Sequence, residues 1–370
     1  MHFSDLPLLP SLQSSLAEAG LTALTEVQAR AIPALIARRS VVAVAETGSG
    51  KTLSYVLPIL DRLKRMEDDG NRVETEREPR AIVVVPTREL GAQVCAVFKR
   101  FTHGTRLRVR AVAGGTALRK SRETVSEVFD VLVATPNRLQ KLVGVEQLSL
   151  AAVRLVVLDE ADQLLDMGFL PLVGEVVEAC PSWRQVALFS ATFPPSLRTV
   201  AARLAPGADE IETGGAHRLV PSLRTRRVPV PDGRRPPVLA RVLAEPVEGG
   251  TILFANTRDQ VDAIALWATT TGWSVRVLRS EMDPLERKRN LAAFRAGEVP
   301  LLVATDVGAR GLDLPTVGRV INVHLPREID TYLHRAGRTA RAGRVGEVVD
   351  LVTPRDAPLI ERLSRRIATG

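Results

Sequence analysis

The sequence has few cysteines and lysines and no long apolar run. Its two cysteines, Cys95 and Cys180, are not spaced as metal ligands, so we expect two buried thiols rather than a metal site or a disulfide. No apolar stretch approaches the roughly 20 residues that span a bilayer, and the N-terminus lacks a basic-then-apolar signal. These absences predict a soluble, cytoplasmic protein without a membrane partner.

What is present is typical of a globular protein with an anionic partner. Apolar residues make up 45% of the chain and charged residues 25%, a balance that excludes a disordered chain. A length of 370 residues exceeds one ordinary core and predicts two domains. The formal net charge of +8 supports an anionic partner, although a modest excess also occurs on ordinary surfaces.

Short apolar runs alternate with helical patterns, which indicates βαβ units and an α/β fold with mainly parallel sheets. Glycine and proline interrupt the alternation near residues 205–221, so we predict a first domain at 1–207, a flexible linker at 208–220 and a second domain at 221–370. The predicted strands are 41–44, 81–85, 109–113, 131–134, 155–158, 186–189, 251–255, 274–278, 301–304, 319–323 and 348–352.

The first motif that carries chemistry follows the apolar run Val41–Val44. It reads Ala-Glu-Thr-Gly-Ser-Gly-Lys-Thr over residues 45–52 and matches a loop whose glycines let backbone N–H groups point at phosphate oxygens. In that loop the lysine, Lys51, reaches the β- and γ-phosphates, and the Thr52 hydroxyl ligates Mg²⁺. The second half of the chain has no such loop.

The second motif, Asp159-Glu160-Ala161-Asp162, follows the apolar run Leu155–Leu158. The carboxyl end of a parallel strand is where open α/β sheets bind ligands, although an isolated acid pair there also occurs as a helix cap or a solvated turn. Together with the phosphate loop, this motif predicts a nucleoside triphosphatase. Asp159 is then the magnesium carboxylate, and Glu160 orients or deprotonates the attacking water.

Three further segments of the first half follow predicted strands, namely 86–90, 114–115 and 135–139. They place backbone N–H groups, hydroxyls and arginines at the same sheet edge, which are the groups that hold a sugar–phosphate backbone without reading bases. Any one segment alone is better explained as an ordinary turn, but three of them at one sheet edge favour binding of a sugar–phosphate backbone. Ser190-Ala191-Thr192 also follows a strand, and it is either a helix cap or a hydrogen-bonding partner for Asp162.

In the second half, the run 332–341 contains three arginines at a spacing of three: Arg335, Arg338 and Arg341. A helix would place them on one face, which suits a polyphosphate. An arginine on transition-state charge is worth roughly 10³–10⁵ in rate. His334 lies in the same run and is expected to couple to Asp162 rather than to bind a metal.

Together these segments resemble the DEAD-box ATP-dependent RNA helicases over almost the whole chain. The resemblance implies two tandem RecA-like domains that close around ATP and single-stranded RNA. It also implies an adenine site in which Gln28 makes a bidentate contact to the base and Phe3 stacks on it, with ATP preferred to GTP.

The resemblance assigns roles to individual positions. The catalytic positions are Lys51, Asp159, Glu160, Arg338 and Arg341. The ATP-binding positions are Phe3, Gln28, Thr47, Gly48, Ser49, Gly50, Lys51, Thr52, Gly311 and Asp313, with Thr52 and Asp159 at Mg²⁺. The RNA-binding positions are Pro86, Thr87, Arg88, Gly115, Thr135, Arg138 and Thr305. Asp162, Ser190, Thr192 and His334 would couple the domains.

Five positions depart from the usual family pattern. They are Asn137 and Ala340 where glycine is usual, Gly308 where alanine is usual, His324 where aspartate is usual, and Pro284 where glutamine is usual. None of them removes a group of the ATPase centre, and asparagine tolerates backbone angles that otherwise call for glycine.

The expected activity is ATP-dependent local unwinding of short RNA duplexes by a monomer. An ATP-gated RNA clamp or assembly factor carries the same motifs and stays open as an alternative. A DNA-translocating helicase is disfavoured by Gln28 and by the Ala161-Asp162 ending of the acidic motif. The expected partners are RNA, read with weak sequence preference, and proteins of ribosome assembly or RNA decay.

Overall fold

The computed structural model describes residues 1–46, 48–113, 118–213, 223–279, 282–309, 317–340 and 345–368. The chain divides into two compact units, Met1–Ala216 and His217–Gly370. None of the helices in the described part of the chain is both long and apolar enough to cross a membrane.

The first unit has a parallel sheet between two layers of helices. Its strands are β1 (Val41–Val44), β2 (Ala81–Val84), β3 (Val109–Val112), β4 (Val131–Ala134), β5 (Leu155–Leu158), β6 (Gln185–Ser190) and β7 (Asp209–Glu212), in the order β3-β4-β2-β5-β6-β1-β7. Its helices are α1 (Pro10–Glu18), α2 (Glu26–Ile36), α3 (Lys51–Asp68), α4 (Arg88–Thr102), α5 (Leu118–Val125), α6 (Pro136–Gly144), α7 (Ala161–Asp166), α8 (Leu170–Ala179) and α9 (Pro195–Leu204).

The second unit repeats this plan. Its parallel strands are β8 (Leu223–Pro229), β9 (Gly250–Ala255), β10 (Val275–Leu278), β11 (Leu301–Thr305), β12 (Val317–Asn322) and β13 (Gly346–Val352), in the order β10-β11-β9-β12-β13-β8. Its helices are α10 (Arg235–Leu243), α11 (Arg258–Thr270), α12 (Pro284–Arg295), α13 (Asp306–Ala309), α14 (Ile329–Ala336) and α15 (Ala357–Ala368).

Alternation along each strand fills an apolar core on both faces of the first sheet. In β1, Val41 and Ala43 belong to the core under α2 and α3, whereas Val42 belongs to the core on the opposite face. Two-sided burial explains why these strands are continuous apolar runs in the sequence. It also leaves the loops at the carboxyl ends of the strands as the place for polar chemistry.

The boundary between the domains differs from the prediction. Residues 209–212, assigned above to the linker, form β7, which pairs with β1 in parallel register. The strand is a polar edge strand, Asp-Glu-Ile-Glu, in which only Ile211 is buried, so it gives no apolar run to detect. The predicted linker from 214 onward lies outside the described residues.

Candidate active site

The phosphate loop follows β1 and leads into α3. Gly48 and Gly50 both have left-handed backbone conformations, with φ of +86° and +92°. A methyl group on Gly50 would also lie 2.3 Å from the Gln28 amide nitrogen, so glycine is required there for conformation and for space. Thr47, predicted to bind ATP, lies outside the described residues, and Ser49 Oγ donates to the Glu46 carbonyl at 2.7 Å.

Lys51 is folded back onto the loop that it belongs to. Its Nζ donates to the carbonyls of Ala45 at 2.5 Å and Glu46 at 2.8 Å. Burial lowers the pKa of Lys51, and the nearby carboxylates of Asp159 and Asp162 oppose that shift. The ammonium group therefore lies close to the expected position of the phosphate oxygens. The two carbonyl oxygens that hold it are weaker acceptors than phosphate.

Asp159 follows β5 and is 2% exposed. Its carboxylate accepts from the Tyr55 hydroxyl at 2.6 Å and from the Glu160 N–H at 3.0 Å. Burial raises the pKa of Asp159, although the Tyr55 hydrogen bond and the charge of Lys51 act to lower it. A buried carboxylate whose ionised form is disfavoured fits a site that a cation completes.

The residues fit a magnesium ion that is shared with a nucleotide. No group of three or more acidic, histidine or cysteine side chains suited to a metal occurs in the described ranges. Mg²⁺ in phosphate sites keeps several waters and takes one or two protein oxygens, which Asp159 and Thr52 can provide. The ion would neutralise charge on the phosphates.

Tyr55 is a functional candidate that the sequence analysis missed. It is fully buried on α3, and the Thr52 hydroxyl also hydrogen-bonds its phenol oxygen. Its ring packs on Phe189 at a centroid distance of 5.3 Å. Tyr55 thus connects both predicted magnesium ligands, and its spacing of three from Thr52 on a helix was the only available signal.

Glu160 has a left-handed backbone, with φ 50° and ψ 54°, at the start of α7. A non-glycine residue in this region is strained by roughly 1–3 kcal/mol. Its carboxylate accepts from the Gln163 side-chain amide at 2.5 Å. The turn therefore gives the Glu160 side chain a different direction from that of the neighbouring Asp159.

The structure joins Asp162 to the segment after β6. Its Oδ2 accepts from the Thr192 N–H at 2.9 Å and the Thr192 hydroxyl at 3.1 Å, and its own N–H donates to Ser190 Oγ at 3.1 Å. Ser190 and Thr192 were predicted to contact Asp162, and they do. His334 belongs to the second unit, where its side chain is half-buried.

Gln28 connects the start of α2 to the phosphate loop. Its Oε1 accepts from the Thr25 N–H at 2.9 Å, and its Nε2 donates to the Gly50 carbonyl at 3.2 Å. One N–H and one lone pair of the amide remain, which are the donor and the acceptor that bidentate pairing with adenine needs.

Phe3 does not lie where a stacking residue is expected. It is 2% exposed and belongs to the core of the first unit, within a 3₁₀ helix Phe3–Asp5. The ring could stack on a base only by leaving that core, so this arrangement does not favour the predicted role.

The predicted RNA-binding positions of the first unit follow β2 and β4, which are neighbours in the sheet. Arg88 is exposed at the start of α4, and the Thr87 side chain caps that helix through the Leu90 N–H at 3.2 Å. Pro86 is buried, as are Thr135 and Arg138 at 8% and 7% exposed. Arg88 is therefore the position most open to a ligand, and Gly115 lies outside the described residues.

In the second unit, Arg335 and Arg338 do not share a helix face, contrary to the prediction. Helix α14 ends at Ala336 because Gly337 caps it, and Arg338 follows in a turn at 5% exposed. Arg335 is fully buried, with its guanidinium 5.1 Å over the Phe254 ring. Its hydrogen bonds, which the sequence analysis missed, go to both oxygens of Asp306, to Asn256, to Asn322 and to the His324 carbonyl.

The remaining predicted positions of the second unit are only partly described. Thr305 is 6% exposed at the end of β11, where its hydroxyl accepts from the Gly308 N–H at 3.0 Å. Gly311, Asp313 and Arg341 lie outside the described residues.

The structure accounts for most of the departures from the family pattern. Asn137 lies in α6 without a positive φ, so this position does not need the unusual backbone angles that asparagine was expected to tolerate in place of glycine. Pro284 is at the start of α12, where its missing N–H costs nothing. Ala340 has φ +56°, a conformation in which glycine would be less strained. A methyl group on Gly308 would lie 2.2 Å from the Leu278 carbonyl oxygen, so alanine does not fit here.

Comparisons with known proteins cover both units. Residues 25–200 match the DEAD/DEAH box helicase family model, and residues 235–343 match the helicase conserved C-terminal domain. The chain is 34% identical over 366 residues to the DEAD-box ATP-dependent RNA helicase RhpA of Helicobacter pylori, covering 99% of this chain and 72% of that protein. It is 37% identical over 362 residues to the probable ATP-dependent RNA helicase DDX4 of Rattus norvegicus, covering 94% of this chain and 50% of DDX4.

A similar solved structure is that of S. cerevisiae Dbp5 bound to RNA and ADP BeF3. The TM-score is 0.87 at 27% identity, over 99% of this chain and 93% of that chain. A DEAD box protein from Methanococcus jannaschii gives a TM-score of 0.55, also at 27% identity.

Proposed function

Since this chain belongs to the DEAD-box ATP-dependent RNA helicases and is an RNA-dependent ATPase with two RecA-like domains, we propose that it separates short RNA duplexes locally. In this proposal it binds single-stranded RNA across the cleft between its domains, in the cytoplasm and as a monomer. Proteins of ribosome assembly or RNA decay are its proposed partners.

The observation that carries this proposal is the arrangement of Asp159, Glu160 and Asp162 at one sheet edge. Asp159 lies beside the phosphate-loop lysine, while Asp162 is bonded to the segment after the next strand. One tetrapeptide therefore contains both the residues proposed for hydrolysis and the residue that contacts Ser190 and Thr192. A conformational change at the nucleotide can therefore be transmitted through Asp162 to the segment that follows β6.

Glu160 is the proposed group that orients or deprotonates the attacking water. Its carboxylate is supported by Gln163, and its backbone conformation separates its direction from that of Asp159. Lys51 would exchange its two loop carbonyls for phosphate oxygens when ATP binds. Arg338 and Arg341 are the proposed arginine fingers, acting on the same phosphates when the domains close.

Backbone contacts to RNA predict weak sequence preference and affinity that falls with salt. Arg88 is exposed and is the first residue of α4, which begins after the carboxyl end of β2. The other proposed RNA positions, Thr87, Thr135 and Thr305, supply hydroxyls rather than groups that read base edges.

The variant Glu160→Gln tests the proposal. We expect ATP and RNA binding to persist while RNA-stimulated hydrolysis falls by about 10²–10⁴-fold, because the variant loses its general base and keeps Asp159. Glu178→Gln is the control, since Glu178 is half-exposed and pairs with Arg203 away from the phosphate loop. Near-normal hydrolysis by Glu160→Gln would contradict the role assigned to Glu160.

Strand displacement of a short RNA duplex by the wild-type protein tests the unwinding step. We expect strand displacement to require ATP. In Glu160→Gln, no further displacement should follow the first cycle of ATP and RNA binding. RNA-stimulated hydrolysis without displacement would instead identify an ATP-gated clamp.

A further inference from the structure

Three arginines begin adjacent strands of the first sheet. Arg80, Arg154 and Arg184 directly precede β2, β5 and β6, and the register aligns the residues that follow them, Ala81 with Leu155 and Leu155 with Gln185. Neighbouring strands lie about 4.8 Å apart, so the arginines form a row. Because the strands are parallel, this row lies at the amino edge of the sheet, opposite the phosphate loop.

Two more arginines join the row. Arg62 on α3 donates from Nη1 to Gln185 Oε1 at 3.0 Å, at the start of β6. Burial and the nearby charges of Arg38 and Arg154 lower the pKa of Arg62 to about 10. We call Arg38, Arg62, Arg80, Arg154 and Arg184 the amino-edge cluster.

The structure shows no ion pair for the cluster within the described part of the chain, whereas several other arginines of the same unit are paired with acids. Arg39 pairs with Asp209 at 2.6 Å, for example, and Arg108 pairs with Asp130 at 3.1 Å. The Nε atoms of Arg62, Arg154 and Arg184 are buried without a hydrogen-bond partner. A high arginine content alone explains scattered pairs, but it does not explain a row of unpaired cations.

Partly buried cations close to one another are unfavourable unless an anion completes the site. The acidic groups whose charges act on Arg80 are Asp130 and Glu67. Both are already paired, Asp130 with Arg108 and Glu67 with Lys64 and Arg72. The acids that act on Arg80 are therefore shared with other cations, and the described ranges show no ion pair that belongs to the cluster.

An exposed tryptophan lies at the same edge. Trp183 is 59% exposed, and the Arg154 guanidinium lies 5.2 Å from its ring centroid. Trp183 also directly precedes Arg184. Arginines beside an exposed aromatic ring are typical of surfaces that bind single-stranded nucleic acid, in which phosphates meet cations and bases stack.

We propose that the amino-edge cluster is a second RNA contact, which binds the phosphates of a single-stranded segment while Trp183 stacks on one of its bases. The segment is an extension of the RNA engaged at the opposite edge, so this inference rests on the proposed function. Tethering raises the effective concentration of the extension, and the second contact would favour long single strands over short ones.

The test measures binding of the full chain to fluorescent oligouridylates of about 10 and about 40 nucleotides at several salt concentrations. Variants are the double Arg80→Gln/Arg154→Gln and the single Trp183→Ala. The matched control is Arg198→Gln/Arg203→Gln, because both arginines lie on α9 of the same unit and pair with acids. Glutamine keeps much of the side-chain stem, and thermal unfolding checks that each variant folds.

We expect the cluster and tryptophan variants to bind the long RNA roughly tenfold more weakly, with the short RNA unaffected. The salt slope for the long RNA should fall by about 1.4 in the double variant, since each phosphate contact to a single strand contributes about 0.7. RNA-stimulated ATPase at saturating short RNA should stay unchanged. The control should match the wild type for both lengths.

Equal losses for both RNA lengths, or no loss relative to the control, would overturn the proposal. A polyglutamate peptide that displaces the long RNA only from proteins with the intact cluster, together with no effect of Trp183→Ala, would assign the surface to an acidic protein instead. Failure of the RNA binding on which this inference rests is distinguishable, because the wild type would then not bind the short RNA, and failure of unwinding alone would appear only in the strand-displacement assay.

Discussion

At the scale of single residues, Tyr55 is the side chain whose contacts connect most directly to catalysis. Its hydroxyl donates to Asp159 at 2.6 Å and acts to lower the pKa of that carboxyl group. In Tyr55→Phe the pKa of Asp159 should therefore rise further. We expect the acidic limb of the ATPase pH profile to move to higher pH and the Mg²⁺ requirement to increase, with activity recovering as pH rises.

Tyr332→Phe is the matched control for this prediction. Tyr332 is also buried and donates to a buried carboxylate, Asp350, at 3.0 Å, but in the second unit. Both variants should lose stability by roughly 1–3 kcal/mol, because each leaves a buried acceptor with one donor fewer. Only Tyr55→Phe should shift the pH profile, and an unshifted profile would limit Tyr55 to a structural role.

His324 gives a prediction about stability and pH. Burial and the charges of Arg235 and Arg335 lower its pKa to about 4 from 6.5, against a smaller opposing effect of Asp356. The folded protein resists protonation of His324, whereas the unfolded chain does not. The stability that the neutral His324 side chain contributes is therefore intact above pH 6.5 and is lost as pH falls toward 4.

His324→Asp should remove this loss, since a carboxylate between two guanidinium groups is favoured in its ionised form. Thermal unfolding at pH 7 and pH 5 measures the effect. We expect the wild type to lose about 1 kcal/mol more than the variant between these values, allowing for solvent screening. The exposed His103→Asp is the control, and an equal pH dependence of wild type and His324→Asp would refute the explanation.

At the scale of elements, Gly308 fixes how closely α13 approaches the end of β10. A methyl group there would lie 2.2 Å from the Leu278 carbonyl oxygen and 2.9 Å from Arg279 Cα, both backbone atoms. Gly308→Ala should therefore destabilise the second unit by about 1–3 kcal/mol, as overpacking does. In the control Gly144→Ala, a methyl group meets no atom within 4 Å. Denaturant unfolding should therefore show that this variant is as stable as the wild type or slightly more stable.

Strands buried on two faces were predictable, whereas two of the four edge strands, β7 and β8, were not. Strands such as β1 and β5 coincide with their predicted bounds because two-sided burial demands a continuous apolar run. The edge strands β7 and β8 carry Asp, Glu and Arg at exposed positions, so nothing in their local sequence distinguishes them from a polar linker.

The residues of the site were predictable, and so was the contact of Asp162 with Ser190 and Thr192, but most other contacts were not. Lys51, Asp159 and Asp162 were found from strand ends and spacing. Sequence spacing carries no information on which side chains meet across helices, so the bonds of Tyr55 and Arg335 were missed. The helix assumed for the three arginines ended at Gly337, because helix length depends on a cap that the spacing of arginines does not report.

At the scale of the whole molecule, each unit has its own cores and should fold alone. We expect a fragment of residues 1–216 to unfold cooperatively. A fragment of residues 1–207 lacks β7 and exposes the edge of β1, which carries the phosphate loop. It should have a lower unfolding temperature, weaker ATP binding and a tendency to aggregate through that edge.

Calorimetry and nucleotide titration of the two fragments check this expectation, with a fragment of residues 1–213 as the control that retains β7 but omits the segment beyond it. Equal stability and ATP affinity of the shortest and longest fragments would show that β7 adds nothing to β1.

Gln28 has a consequence for the thermodynamics of nucleotide selection. Its amide is held at both ends by Thr25 and Gly50, so its rotamer freedom is lost when the chain folds rather than when a base arrives. Immobilising such a side chain costs about 0.5–1.5 kcal/mol in an unprepared site. Here folding has already supplied that ordering, so the predicted contact of Gln28 with adenine would draw on a rigid template instead of on induced fit.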